Sequence, residues 1–244
     1  GEPGQDTEQE RPGHRQRDHR LQDPPGPAGP GGAWGRGLLH RHDATRVGRV
    51  GASAEWHHEA MGAHLTGRLL VAGPRLIDPN FARTVVLVCR HDEEGALGLV
   101  LNRPTTIMVG EALPGWVEPL APPNVVFLGG PVQPEMAVGL GRLLPARAGR
   151  PDSEEWTPVD DRLGLVNLSV PPAAEVGALD QLRVFAGYAG WSAGQLDFEV
   201  SSSDWFVLPA AEDDAFSAAP GGLWRRVLHR QPGPVALFAD FPPD

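Results

Sequence analysis

The cysteine and a nearby histidine are the first residues whose types could do chemistry. Cys89 and His91 are two positions apart in an apolar run, and residues two apart on a strand share a face. A thiol beside an imidazole could serve as a nucleophile or a redox sensor, provided that the thiol is partly exposed in an electropositive setting. The flanking Leu87 and Val88 instead favour a small buried hydrophobic residue. Arg90 would point to the opposite face of the strand, so it is a poor activator of the thiol.

Amide and acidic side chains follow a glycine-rich stretch near residue 190. Gln195, Asp197 and Glu199 fall on a predicted helix, where residues two apart do not face each other. Paired carboxylates can do acid–base work, but only one of Asp197 and Glu199 is then expected to face a pocket. The favoured interpretation is a helix N-terminus stabilised by acidic residues. Gln195 and Glu199 are nevertheless the side chains whose polarity packing does not explain, so a ligand should be sought there.

A second group of candidates lies around Asn102 and a pair of glycines. Asn102 and Arg103 close a predicted strand before Pro104. An Asn side chain there can bind turn backbone, and Arg103 could hold a carboxylate or phosphate, although a surface ion pair is favoured. Tyr188 and Trp191 could stack on a ligand, although aromatic side chains beside glycines are more often core. The predicted ligand-binding residues are Asn102, Arg103, Gly129, Gly130, Tyr188, Trp191, Gln195 and Glu199.

The best-known enzyme signatures are absent from the chain. We find no G-x-S-x-G elbow, Walker A loop, dinucleotide-binding glycine motif, H-E-x-x-H or EF-hand loop. One cysteine excludes an intramolecular disulfide and a multi-cysteine zinc site. These absences lower the expectation of an enzyme, and the sequence predicts no catalytic residue, metal ion or cofactor.

The elements that must position these residues are mostly short strands. Apolar runs predict strands within residues 65–72, 85–90, 97–101, 124–128, 136–144, 163–170, 182–186 and 205–208. Short helices are predicted near residues 109–113, 173–179, 195–200, 211–216 and 223–230. The glycines of residues 187–194 are expected at the strand-to-helix turn. Because helices are missing between most strands, a doubly wound parallel fold is not expected. We predict a single compact α+β domain with a mixed or antiparallel sheet and short flanking helices.

Residues 1–62 differ from the rest of the chain. They are rich in Gly, Pro, Arg, Gln and His, and carry six of the nine histidines. So few apolar side chains cannot offset the entropy of ordering, and we predict a disordered extension; metal binding by its histidines is not favoured. The first methionine is Met61, which suggests the hypothesis that the native product starts near it. The folded domain is predicted to span residues 63–244.

Charge and hydropathy limit where and on what the protein acts. The chain of 244 residues has a net charge of −10, and all 21 of its basic residues are arginine. An acidic protein is not expected to bind nucleic acid directly through a wide basic surface. No run of about 18 apolar residues is present, and no signal-peptide core is found, so neither a membrane span nor secretion is expected. We predict a cytoplasmic protein.

Four blocks, in order, resemble those of the AlgH/YqgE family. They lie at residues 67–86, 95–104, 129–132 and 187–199, and Trp205 follows them. Thr84 stands where the family commonly has Ser, and Asp197 stands where it commonly has Glu. The resemblance covers residues 64–244 and leaves the N-terminal segment without a counterpart.

The resemblance implies a compact α+β fold with a distorted, partly barrel-like sheet, in a bacterial cytosolic protein. It implies no established reaction, and the founding name of the family comes from a proposed role in transcriptional regulation. The first hypothesis is therefore a non-enzymatic regulatory protein that binds a small ligand or a protein and affects transcription indirectly. The alternatives are a hydrolase-like enzyme with a pocket near Asn102, Gln195 and Glu199, and a redox-responsive protein that uses Cys89.

Overall fold

The computed structural model of the protein describes Gly1, residues 64–169 and residues 176–241. The strands formed by these residues are β1 (Arg68–Ala72), β2 (Val85–Asp92), β3 (Gly95–Val100), β4 (Pro104–Met108), β5 (Val125–Leu128), β6 (Val132–Leu143), β7 (Trp156–Pro158), β8 (Leu163–Val166), β9 (Leu179–Ser192) and β10 (Trp205–Pro209). The α-helices are α1 (Val109–Ala112), α2 (Gln195–Ser201) and α3 (Leu223–His229), and the 3-10 helices are Pro145–Arg147, Val176–Ala178, Pro220–Gly222 and Gly233–Asp240. The predicted extension over residues 1–62 lies, apart from Gly1, outside the described residues.

The strands form one mainly antiparallel sheet that curls into a half-barrel. Its order is β10-β1-β2-β3-β9-β6-β8-β7, and β5 joins it through a parallel pairing with β9 and an antiparallel pairing with β4. The 14-residue β9 is the central element, because it pairs with β6 along one edge and with β5 and β3 along the other. The α+β prediction and the single compact domain are confirmed.

Alternate residues of β2 pack in different core clusters on the two faces of the sheet. Val85 and Leu87 pack in one core cluster with α3, whereas Val86 and Val88 pack in another with Trp191 and its neighbours. The run of residues 85–89, which is apolar at every position, is therefore buried on both faces, as predicted. A third cluster lies under α1 and β7.

Three local features differ from those that the sequence predicted. The glycine-rich stretch is not a turn: β9 continues through Gly187 and Gly190, and only Gly194 lies at the strand-to-helix junction. Residues 211–216 form turns instead of a helix, because the Asp214 carboxylate accepts the Ala211 N–H and fixes a tight loop. The short strands β4 and β7 were not expected; the second contains Trp156, which is fully buried.

Candidate functional site

Glu199 is the centre of a hydrogen-bond network at the start of α2. Its Oε2 atom accepts hydrogen bonds from the indole N–H groups of Trp191 on β9, at 2.8 Å, and Trp205 on β10, at 2.9 Å. Its Oε1 atom accepts an amide N–H of Gln195 at 2.9 Å, one helical turn earlier. Three donors from three elements therefore converge on one carboxylate, which makes these bonds charge-assisted and comparatively strong.

The local chain explains why Gln195 meets Glu199. Gly194, with a φ of 71°, takes the left-handed conformation that turns the end of β9 into α2. The Gln195 Oε1 atom then accepts hydrogen bonds from both the backbone N–H and the hydroxyl of Ser192, each at 3.1 Å. Internal hydrogen bonds thus account for the polarity of Gln195 and Glu199, which the sequence left unexplained.

Asp197 and His91 form a separate polar pair between α2 and β2. The Asp197 Oδ1 atom lies 3.7 Å from the His91 Nε2 atom, and the His91 ring is buried. The His91 Nδ1 atom accepts the backbone N–H of Leu65 at 3.2 Å, so the neutral ring carries its proton on Nε2, facing the carboxylate. Asp197 and Glu199 therefore face different partners, as expected for residues two apart on a helix.

Cys89 does not lie beside His91, contrary to the shared face that their spacing predicts. The register of β2 against β3 shifts between Val88 and Arg90, so Cys89 is the extra residue of a β-bulge. Cys89 packs in the cluster of Val85 and Leu87, whereas the His91 ring faces Asp197. Burial raises the pKa of the Cys89 thiol well above its usual range, which favours a packing role over a reactive one.

Asn102 and Arg103 hold the loop that precedes β2. The Asn102 Oδ1 atom accepts the Val85 N–H at 3.0 Å, and its Nδ2 atom donates to the Arg83 carbonyl at 2.9 Å. Arg103 donates to the Ala82 carbonyl at 3.2 Å instead of joining the surface ion pair that was favoured. Both side chains therefore bind backbone, which is the structural role expected of an Asn at such a position.

Gly129 and Gly130 pack directly against the backbone of β9. A Cβ atom on Gly129 would lie 2.2 Å from the Gly187 carbonyl oxygen, and one on Gly130 would lie 2.2 Å from the Tyr188 carbonyl carbon. Tyr188 itself is buried in the core cluster that contains Phe127. Close packing of β9 against residues 129–130 thus accounts for these glycines.

The eight predicted ligand-binding residues fall into two groups. In the ladder of β3 and β9, Gly95 pairs with Ser192 and Gly98 pairs with Ala189. Asn102 is seven positions after Gly95, a distance of about 23 Å along a fully extended chain. The group towards the C-terminal end of β3 consists of Asn102, Arg103, Gly129, Gly130 and Tyr188. The group at the N-terminal end of β3 consists of Trp191, Gln195 and Glu199. Ligand binding by either group stays a prediction.

Two kinds of contact around these residues were missed by the sequence analysis. The Phe81 ring packs on both indoles of the network, with centroids 6.3 Å from Trp191 and 5.5 Å from Trp205. Arg183 is buried in β9, lies over the Phe127 ring and donates to the carbonyls of residues 122, 215 and 217. Burial lowers the pKa of Arg183 to about 10, so its guanidinium stays charged at neutral pH. The only sequence signal for these Arg183 contacts was that an arginine stands between two apolar residues of a predicted strand, Leu182 and Val184.

A group of exposed apolar side chains lies on the other side of β9 from β6, around β4 and β5. Leu128 of β5 pairs with Ala186 of β9. Val117 lies against α1, because a Cβ atom on Gly110 would approach its Cγ1 atom to 3.3 Å. We define the β4–β5 surface by Ile107, Met108, Val117 and Leu128, which are 45–53% exposed.

Within the described part of the chain, no group of three or more His, Cys, Asp and Glu residues is placed to hold a metal ion. No helix among the same residues is long and apolar enough to cross a membrane.

Comparison with known proteins gives consistent matches. The family model described as AlgH-like matches residues 69–236. A UPF0301 protein of Streptomyces coelicolor is 47% identical over 180 residues, which are 74% of this chain and 93% of that protein. A crystal structure of a Corynebacterium diphtheriae protein has a TM-score of 0.66 at 34% identity, covering 72% of this chain and 91% of that one. The solution structure of the AlgH protein from Pseudomonas aeruginosa has a TM-score of 0.56 at 28% identity, covering 75% and 97%.

The family model covers more than half of the chain, and the blocks that carry the resemblance lie inside the matched region or directly before it. The same blocks hold the structure together: the indole–carboxylate network, the Asn102 contacts and the facing glycines all come from them. The chain belongs to the AlgH-like family.

Proposed function

We propose that the protein is a non-enzymatic binding protein that acts in the cytoplasm on a protein partner. The observation that carries the proposal is the β4–β5 surface, where four large apolar side chains stay exposed on adjoining elements. Exposed apolar side chains grouped in this way are typical of interaction sites. Among the described strands, β4 pairs with β5 alone, so its outer edge also offers backbone groups that peptides commonly bind.

The contacts of the predicted site residues give less support to an enzyme. A pocket near Asn102, Gln195 and Glu199 would require these side chains to converge on one substrate. Each of them instead binds a neighbour within the fold, and Asn102 lies at the opposite end of β3 from the other two. A redox role for Cys89 has equally little support, since the thiol is buried and its pKa is raised.

A regulatory role would then act through the partner. With a net charge of −10, the chain is poorly suited to sequence-independent contact with nucleic acid, so an effect on transcription would be indirect. The β4–β5 surface is the part of the molecule through which such a partner would be bound.

Site-specific photo-crosslinking in the native host tests the proposal. A photoreactive amino acid replaces Ile107 or Val117, and in a control it replaces Phe198, which is 70% exposed on α2 at the far end of β9. We expect protein adducts at positions 107 and 117 but not at position 198. The absence of adducts at both test positions, or equal adducts at all three, would contradict the proposal.

A further inference from the structure

We infer that the segment bound at the β4–β5 surface is basic as well as apolar, an inference that rests on the proposed function. The surface lies within residues 104–128, which contain two glutamates and no arginine, lysine, histidine or aspartate. Glu111 and Glu118 are both exposed. Glu111 follows Met108 by three residues and Glu118 is next in sequence to Val117, so the charges of this segment that border the apolar side chains are all negative.

The nearest arginines in sequence on either side of this segment, Arg103 and Arg142, do not offset its charge. Arg103 points its guanidinium at the Ala82 carbonyl, in the loop before β2. Arg142 is buried, donates to the Glu212 carbonyl and lies over the Phe216 ring, with 4.8 Å from its guanidinium carbon to the ring centroid. Both cations are thus directed to other parts of the fold, and the glutamates of the surface remain without a basic neighbour from their own segment.

Charge decides between the possible occupants. A two-fold dimer through the β4–β5 surface would bring the same patch of two copies together, and therefore set glutamates against glutamates. A nucleic acid or an anionic lipid surface would meet the same repulsion. A protein segment with aliphatic side chains and interspersed Arg or Lys suits both the exposed apolar side chains and the negative charge of the surface. Its apolar side chains cover the exposed ones, and its cations pair with the glutamates.

Peptide binding tests the inference directly. Three short labelled peptides are titrated into the full-length protein: one alternating Val and Arg, one alternating Val and Glu, and one alternating Ser and Arg. Fluorescence anisotropy should show saturable binding of the Val/Arg peptide alone, weakening as salt is raised because exposed charges are screened. Saturable binding of the Val/Glu peptide, or equal binding of both basic peptides, would overturn the inference.

Matched charge variants assign the binding to this surface. The double variant Glu111→Gln and Glu118→Gln should bind the Val/Arg peptide about fivefold more weakly, as the loss of two exposed charge pairs implies. The control Asp152→Asn and Glu154→Gln removes the same net charge from exposed positions elsewhere and should keep the affinity within about twofold. Equal weakening in both variants would attribute the binding to overall charge and overturn the inference.

Different results would contradict the proposed function and the inference of a basic segment. If crosslinks form at positions 107 and 117 but persist in the double glutamine variant and at high salt, a partner docks there without needing a basic segment, and only this inference fails. If sedimentation shows a dimer of the wild type that Ile107→Ser abolishes, a second copy occupies the surface, and the inference fails as well. If no crosslinks form, the proposed function fails first.

Discussion

At the scale of single residues, the Glu199 carboxylate joins three elements, because it accepts hydrogen bonds from side chains of β9, β10 and α2. It replaces water as the acceptor for two indole N–H groups of nearly buried tryptophans and holds Gln195 as well. A buried donor that loses its acceptor costs more free energy than its hydrogen bond contributes. Glu199, one of the side chains at which a ligand was to be sought, therefore has a defined structural task.

Replacing Glu199 by Ala should lower the free energy of unfolding by about 2–4 kcal/mol, because two indole N–H groups are left without a partner. Urea denaturation followed by tryptophan fluorescence measures this change. Glu93→Ala, in the exposed turn between β2 and β3, is the control and should stay within about 0.5 kcal/mol of wild type. A Glu199→Ala variant as stable as the control would show that the network contributes little.

At the scale of elements, β9 organises the domain. It reaches from the cluster under α1 to the tryptophan network at α2, and its residues 185–192 pair first with β5 and then with β3 along one edge. Such a change of partner needs a local irregularity, and Gly187, with a φ of 67°, supplies it. The glycines that suggested a turn instead allow β9 to pair with β5 and then with β3 along the same edge.

Gly187→Ala should destabilise the protein by about 2–4 kcal/mol, since a Cβ atom there would lie 2.7 Å from the Val132 carbonyl oxygen and the left-handed conformation is unfavourable for Ala. Gly221→Ala is the matched control, because a Cβ atom at that position meets no heavy atom within 4 Å. Equilibrium unfolding in urea compares the two variants. Equal stabilities would refute a backbone-clearance role for Gly187.

At the scale of the whole molecule, the elements that the structure describes begin at Arg68, and the residues just before it already belong to the core. Leu65 is buried in the cluster of Trp191 and Trp205, and its N–H binds the His91 ring. These contacts show that the packed core includes residues before the first strand, at least from Leu65 on. That the domain needs nothing from residues 1–60 stays a prediction.

A chain that starts at Met61 should therefore unfold at the same urea concentration as the full chain, within about 0.5 kcal/mol. A chain that starts at Arg68 is the comparison, and it should lose about 1.5–3 kcal/mol with the buried Leu65 side chain. Circular dichroism during urea unfolding gives both values. A marked loss of stability on removing residues 1–60 would mean that the extension packs on the domain.

Much of the fold could be predicted from the sequence because hydrophobic periodicity is a local property. The doubly buried β2, the strand β5 and the helix α3 follow from it. The family blocks also gave the right family, and the charge of −10 is fixed by composition alone. Asn102 was correctly expected to bind turn backbone, since that preference belongs to the side chain itself.

Only the tertiary structure decided which side chains meet. One bulged residue in β2 separates Cys89 from His91, and no local pattern reveals a bulge. The extension of β9 through the glycines depends on strands that lie 50 or more residues earlier in the chain. Arg183 pairs with carbonyls that lie more than 30 residues away on either side. Sequence determines which segments must be buried, whereas contacts between distant segments determine which polar groups are satisfied internally and which apolar ones stay exposed for a partner.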